Sequence, residues 1–374
     1  MMNYNTVYVG MDVHKESFTL CCFQIGKDTA SHIQKIPSDY KLVLKYLDRM
    51  RSFYGENADF ICGYEAGCLG YTLYHQLTAH NVKCIILAPT TMMKETGKKT
   101  IKTDKKDAVL IARALAYRTY SPVHIPTEQD EQVKEYLRMR NDHKTALKKV
   151  KQQILSFCLR HSYIYDGTKK NWTRAHIQWL RELRPDGLYR EILEEYLATF
   201  NLLTDKLDRL DKRIEELASG EVYQKKVKKL ACFKGIKTHT ALSVIVETGD
   251  FYRFATAEKY VSYLGLAPGE NSSGEAQTRL GITKAGNKQV RTLLVEAAQC
   301  FNRGSANKKS RNLHERQSGN SAQVIAYADK ANERLRRRYV RMTLSKGKKH
   351  NLAKTAIARE LACFIWGMMT DNIS

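Results

Sequence analysis

No two of the nine cysteines in this chain stand in a C-x-x-C pair, and none has a histidine at zinc-ligand spacing, which excludes a zinc-ribbon framework. The scattered thiols, among them Cys21, Cys22, Cys62, Cys68 and Cys84, read as reduced and mostly buried, as in a cytoplasmic protein. Apolar runs of membrane-spanning length are missing too. The opening MMNYNTVYVG carries neither a charged leader nor a long apolar stretch, which predicts neither export nor a membrane anchor. Acidic residues are the third shortage: 39 Asp+Glu face 62 Lys+Arg, a net charge of +23. Such an excess points to a polyanionic partner, nucleic acid first, with a merely basic soluble protein as the bland alternative. What is present is enough for two or three cored domains, with 374 residues of which 43% are hydrophobic.

Three parts follow along the chain. In the first, TVYVGMDV from residue 6 and SFTLCCFQI after it predict a hairpin of a central sheet. ADFICGYE (58–65) and VKCIILAP (82–89) predict two more strands, with a helix in YTLYHQLTAH between them. An α/β domain over about 1–128 is the expectation. Its last element begins near Thr103, where Ala108, Ile111, Ala112 and Leu115 share one helix face and Asp104 and Asp107 share a face of the first turn. The second part, about 129–225, is charged and helical. Leu147, Val150, Ile154 and Cys158 recur at helical spacing, and Tyr196, Phe200, Leu203, Leu207, Leu210, Ile214 and Leu217 alternate steps of four and three. That pattern predicts coiled-coil arms, or a long helix packed on its own domain. Residues 161–190, with Trp172, Trp179 and the break RPDG, predict a hairpin insertion or tip.

The third part, 226–374, reads as mostly helical. Its ACFKGIKTHTALSVIVETG approaches the turn by which helix-hairpin-helix modules offer backbone N–H groups to phosphate, but Lys237 stands where the second glycine belongs. Phosphate contact would then come from that side chain, and a plain packing turn fits equally well. A glycine- and serine-rich loop follows, with a helix predicted from near Asn287. The last 74 residues hold sixteen Lys+Arg against five Asp+Glu, including Arg334, Arg336, Arg337, Arg338 and Arg341, which marks an electrostatic footprint or a solvated helix face.

Asp12, Glu65, Asp104 and Asp107 lie on a first strand, a later strand end and a helix start, which is the order of acids in ribonuclease-H-like nucleases. Hard divalent cations take oxygen ligands, and two of them clamping a phosphodiester need three or four carboxylates converging from separate elements. Singly each acid is a weak signal: Asp104 serves equally as a helix N-terminal charge.

With GMDVHK, YEAG, TDKKDA, LGLAPGENSSGEAQTRLGITKAGN and the closing KTAIARELACFIWGMM, the chain resembles the insertion sequence 110 family of bacterial transposases, relatives of the Piv-type DNA invertases, over nearly its whole length. The resemblance implies a RuvC-like domain with a DEDD tetrad of Asp12, Glu65, Asp104 and Asp107 holding Mg²⁺ or Mn²⁺. It also implies a coiled-coil middle and a C-terminal transposase domain with a catalytic serine, Ser273 ahead of Ser272. The partners it implies are donor DNA, target DNA and a non-coding bridge RNA. Ser273 would attack the scissile phosphate, and the released 3′-hydroxyl would then attack the serine ester. Arg279, Lys284 and Arg291 follow the serine and could stabilise phosphorane charge or hold backbone, with plain surface solvation as the alternative, while Lys237, Arg336, Arg337 and Arg338 are the other candidate nucleic-acid contacts. His14 and Lys15 receive no role. The arms suit a dimer that becomes a tetramer on nucleic acid. Two other classes remain open at this point: a RuvC-type endonuclease using water, and a non-catalytic nucleic-acid scaffold.

Overall fold

The computed structural model describes residues 5–67, 69–89, 103–167, 171–273, 276–304 and 308–373, with backbone alone for 270–273 and 276–279. The chain divides into two compact units, Met1–Ile125 and Pro126–Ser374.

Unit 1 is built on a five-stranded mixed sheet in the order β3-β2-β1-β4-β5. Its strands are β1 (Thr6–Val13), β2 (Ser17–Phe23), β3 (Ser31–Pro37), β4 (Asp59–Glu65) and β5 (Lys83–Leu87). Three of them, β3, β2 and β1, form an antiparallel meander, while β4 and β5 run parallel to β1, a ribonuclease-H-like arrangement. Alternation along β1 separates the two faces. Val7, Val9 and Met11 enter a core with Val43, Tyr46, Leu47 and Met50 of α1 (Tyr40–Tyr54) and Leu73 and Leu77 of α2 (Thr72–Ala79). On the other face, α3 (Asp104–Tyr117) packs Ala108, Ala112 and Ala116 against Cys21 and Phe23.

The close approach of α3 is set by two glycines, Gly10 and Gly63, which are register partners on β1 and β4. A Cβ on Gly10 would lie 2.1 Å from the Ala108 carbonyl oxygen, and one on Gly63 would lie 2.9 Å from the Leu115 methyls. Only glycine lets this helix sit on this sheet.

Unit 2 is mostly helical: α4 (Glu128–Arg160), α5 (Arg174–Glu182), α6 (Leu188–Ser219), α7 (Glu221–Ala231), α8 (Thr238–Thr248), α9 (Ala257–Tyr263), α10 (Lys288–Ala298), α11 (Arg311–Gln317), α12 (Ala322–Val340) and α13 (His350–Met369). One hairpin, β6 (Pro268–Ser273) with β7 (Ala276–Ile282), interrupts them. The long helices α4 and α6 run antiparallel: Arg140 grips Asp211 with two N–H groups at one end, and Phe157 meets Tyr189 and Tyr196 at the other. Phe200, Leu207 and Ile214 are buried in that seam at a seven-residue interval, while Leu203, Leu210 and Leu217 are half-buried beside them. The heptads therefore zip α6 onto α4 of the same chain. The insertion at 161–190 folds back as α5, whose Leu180 closes the hairpin's end together with Trp172 stacked on Phe200.

A single large core, centred on α7, α8, α10, α12 and α13, holds the rest of this unit together. Among the described residues no helix is long and apolar enough to cross a membrane. The eight described cysteines are all free thiols, six of them buried.

Candidate active site

Asp12 and Glu65 arrive together because Met11 of β1 pairs with Tyr64 of β4, one residue before each acid. By the same alternation Asp12 shares a face with Gly10, the face that α3 covers. The glycine contact lowers α3 onto the sheet, and its first turn brings Asp104 and Asp107 to this strand end. Thr103 caps that turn through its side chain, accepting from the Lys106 N–H.

Ligand atoms of Asp12, His14 and Asp104 lie within 4.8 Å of one another. His14 Nε2 is 3.1 Å from Asp12 Oδ2, and Lys35 Nζ donates to Asp104 Oδ2 at 2.9 Å. Burial pushes the Asp12 carboxyl above its ordinary value, His14 draws it back, and Asp107 and Asp104 push it up again. Asp104, half-buried and bonded to Lys35, is pulled below its ordinary value. Crowded carboxylates with an ammonium already held by one of them are a donor set that fits a hard divalent cation. Among the described residues the grouped ligand atoms are those of Asp12, His14 and Asp104; Asp107 acts on Asp12 through its charge, and Glu65 stands outside the group.

Two polar residues at this rim were left without a role by sequence reasoning. His14 had a detectable signal, being two residues from Asp12 where a strand ends. Lys35 had none, since it lies 69 residues before its partner Asp104 on an edge strand that the hydrophobic pattern hides.

The side chains of Ser272, Ser273 and Arg279 lie outside the described residues. Their backbone, predicted as a loop, is the β6–β7 hairpin, where Ser272 is register partner of Gln277 and Ser273 of Ala276. The base of that hairpin is tightly built. Gly286 has φ +127° and a Cβ there would come within 2.0 Å of the Tyr263 carbonyl oxygen; Gly265 (φ +65°) meets the same crossing from the other side. Arg291 donates to the Leu264 carbonyl at 2.7 Å, and Asn287 caps α10 while donating to Glu247. Glu247 is itself buried and gripped by Arg138. Arg291 and the Gly286-Asn287 pair thus hold the hairpin's base, while Lys284 is exposed at φ +57°.

Lys237 is exposed at the N-cap of α8, with no side-chain cap on that helix. Of the arginines on α12, Arg336 donates to the carbonyls of Phe301 and Gly304, and Arg338 and Arg334 converge on buried Glu360 of α13. Arg337, 65% exposed, pairs with Glu333. Arg334, Arg337, Arg338 and Arg341 line a groove of about 710 Å³ with Lys330 and Glu360.

A basic chain whose ribonuclease-H-like domain gathers carboxylates at one strand end belongs to the class of enzymes that act on nucleic-acid phosphodiesters. Residues 9–163 match a transposase family model of the DEDD type, and residues 227–315 match the model described as Transposase IS116/IS110/IS902 family. The chain is 31% identical to the y4qE transposase homologue of Sinorhizobium fredii, over 99% of this chain and 90% of that protein. It is also 31% identical to the transposase for insertion sequence element IS1533 of Leptospira borgpetersenii, over 89% of this chain and 95% of that protein. The pilin gene-inverting protein of Moraxella bovis is 25% identical over 78% of this chain and 81% of its own. The chain belongs to the IS110 family of transposases, enzymes of DNA cleavage and strand transfer.

Proposed function

We propose that this transposase cuts and rejoins donor and target DNA through a serine-linked intermediate, with Asp12, Glu65, Asp104 and Asp107 holding Mg²⁺ or Mn²⁺. The carrying observation is the meeting of Asp12 and Asp104 carboxylates from two separate elements, with Lys35 on one of them. When bound, the cation would neutralise charge on the reacting phosphate and ease deprotonation of the attacking hydroxyl. Ser273, ahead of Ser272, is the proposed nucleophile. Its Oγ bonds to phosphorus, the P–O3′ bond breaks, and a 3′-hydroxyl leaves. The 3′-hydroxyl of the partner strand then attacks the phosphoserine, a new phosphodiester forms, and the serine hydroxyl is restored. Bond energy is conserved, so no nucleotide triphosphate is consumed.

The reading keeps three functional parts, about 1–128, 129–225 and 226–374. Lys237, Lys284, Arg279 and Arg337 are the proposed phosphate-backbone contacts, supported for Lys237, Lys284 and Arg337 by their exposure. The braced Arg291, Arg336 and Arg338 would contribute charge from fixed positions. A bridge RNA that pairs with both DNAs, and a dimer that becomes a tetramer on nucleic acid, complete the proposal.

The test uses the full chain with guide RNA and labelled donor DNA. Ser273→Ala should abolish the denaturant-resistant protein–DNA adduct while DNA binding persists. Asp12→Asn should lower strand cleavage by at least ~100-fold, since loss of even a metal ligand's supporting partner costs ~10–100-fold. Cleavage by the wild type with no adduct at all would favour water as nucleophile and sink the serine step.

A further inference from the structure

His14 stands closer to the acidic cluster than the tetrad reading requires. Its Nε2 is 3.1 Å from Asp12 Oδ2, and the Asp104 carboxylate lies within 4.8 Å of both. Ligands held at about 2.1 Å in neighbouring positions of an octahedron are about 3 Å apart. Asp12 and His14 are therefore already at the separation that two donors on one cation adopt, and a small swing of Asp104 would complete a three-donor face.

The local backbone explains why the imidazole is here. The β1–β2 turn closes with the His14 N–H donating to the Ser17 carbonyl at 3.0 Å, which fixes residue 14 two positions beyond Asp12 on the same strand end. The His14 side chain is 55% exposed, which leaves the ring room to turn a nitrogen lone pair toward a cation. Lys35 supplies the second observation. From β3 its ammonium reaches Asp104 Oδ2 at 2.9 Å, so this corner of the site already collects positive charge.

We propose that His14 Nε2 is a direct ligand of the divalent cation gathered by Asp12 and Asp104, and that Lys35 competes with that cation for Asp104. The inference rests on the metal-binding part of the function proposed above and extends it. An all-carboxylate set suits Mg²⁺, which prefers oxygen and keeps its water. An imidazole nitrogen shifts preference toward later first-row ions, Mn²⁺ being the first of them. The site is then a mixed nitrogen–oxygen centre that discriminates among divalent ions, rather than a carboxylate cage indifferent to them.

The decisive readout is spectroscopic and independent of strand cleavage. Full-length protein is loaded with one equivalent of Mn²⁺, and electron spin-echo modulation is recorded for wild type, His14→Gln and Asp12→Asn. Directly coordinated imidazole gives a strong ¹⁴N modulation in wild type, which His14→Gln should remove while Mn²⁺ remains bound. Titration calorimetry of the same proteins should show the Mn²⁺ over Mg²⁺ preference falling about tenfold in His14→Gln. Lys35→Met should tighten Mn²⁺ binding by about two- to fivefold, the worth of an exposed ion pair. Bound Mn²⁺ without ¹⁴N modulation in wild type, or modulation that survives His14→Gln, overturns the ligand assignment while leaving the carboxylate reading intact. Failure of wild type to bind Mn²⁺, or binding unaffected by Asp12→Asn, overturns both readings.

Discussion

The acidic site of unit 1 and the serine hairpin of unit 2 are positioned by opposite means. In unit 1 the carboxylates stand at the ends of packed elements, so their placement follows from a helix resting on two glycines across a buried sheet. The serines of unit 2 stand near the end of a two-stranded ribbon, whose order comes from the clamp at its base: Gly265, Gly286, Asn287, Arg291 and buried Glu247. A two-stranded ribbon is marginal by itself. The contrast separates acids fixed by close packing from serines carried on a ribbon that is held only at its base.

The packing side of this contrast breaks most severely at Gly10. Valine there would drive its Cβ into the Ala108 carbonyl, 2.1 Å away, and into the Ala112 backbone. Gly10→Val should destabilise unit 1 by about 3 kcal/mol or more. Hydrogen exchange should rise across β1, β4 and α3 together. Trp172, Trp179 and Trp366, the chain's three tryptophans, all belong to unit 2, so their fluorescence should still report a folded second unit. Unchanged exchange in α3 would mean that the helix does not depend on the glycine contact.

The arm is tested at Gly286. Alanine at φ +127° is strained, and its Cβ would meet the Tyr263 carbonyl at 2.0 Å. Gly286→Ala should cost about 2 kcal/mol locally. Exchange should increase at 268–282 and in the first turn of α10, with unit 1 untouched. If the hairpin keeps its protection, Arg291 and Asn287 suffice to hold its base.

Much of unit 1 was legible in the sequence, and the exceptions have a physical cause. Strands β1, β2, β4 and β5 are buried, so their apolar runs are plain, and the face of α3 follows from Ala108, Ile111, Ala112 and Leu115. Strand β3 is an edge strand whose residues are mostly exposed, with Ile36 alone fully buried, so SHIQKIP carries no alternation to find. With it went Lys35, whose partner on α3 is a tertiary fact. The serine segment failed differently. PGENSSGEAQTRLGI is rich in turn formers, so β propensity does not mark the two strands that pair there. The heptads of α6 were visible, but only the structure shows that their seam is taken by α4 of the same chain.

The electrostatics of unit 2 are probed through His239, whose Nε2 is buried without a hydrogen-bond partner among the described residues. Burial lowers its pKa from 6.5 to about 4, with Arg140 and Lys144 adding to the shift and Asp211 opposing it. The unfolded chain therefore takes up this proton first. Stability contributed by neutral His239 is complete above about pH 6.5 and is lost as pH falls toward 4, at most about 3 kcal/mol. His239→Gln should flatten the urea midpoint of unit 2 across that window. A midpoint that falls equally in both proteins assigns the acid sensitivity to other groups.

The finest distinction is between neighbours on α12. Arg336 spends its guanidinium on the Phe301 and Gly304 carbonyls, whereas Arg337 is exposed and, among the described residues, pairs with the exposed i,i+4 partner Glu333. Arg337→Ala should leave the melting temperature within about 1 °C, because exposed pairs contribute little. It should still reduce the slope of log K against log salt for DNA by about one, the mark of one lost phosphate contact. Arg336→Ala should do the reverse: it should cost about 1–2 kcal/mol through two unpaired carbonyls and move the salt slope less. If Arg336→Ala instead changes the slope with no loss of stability, its bonds to Phe301 and Gly304 give way to nucleic acid, and the basic face of α12 is broader than its exposed residues alone define.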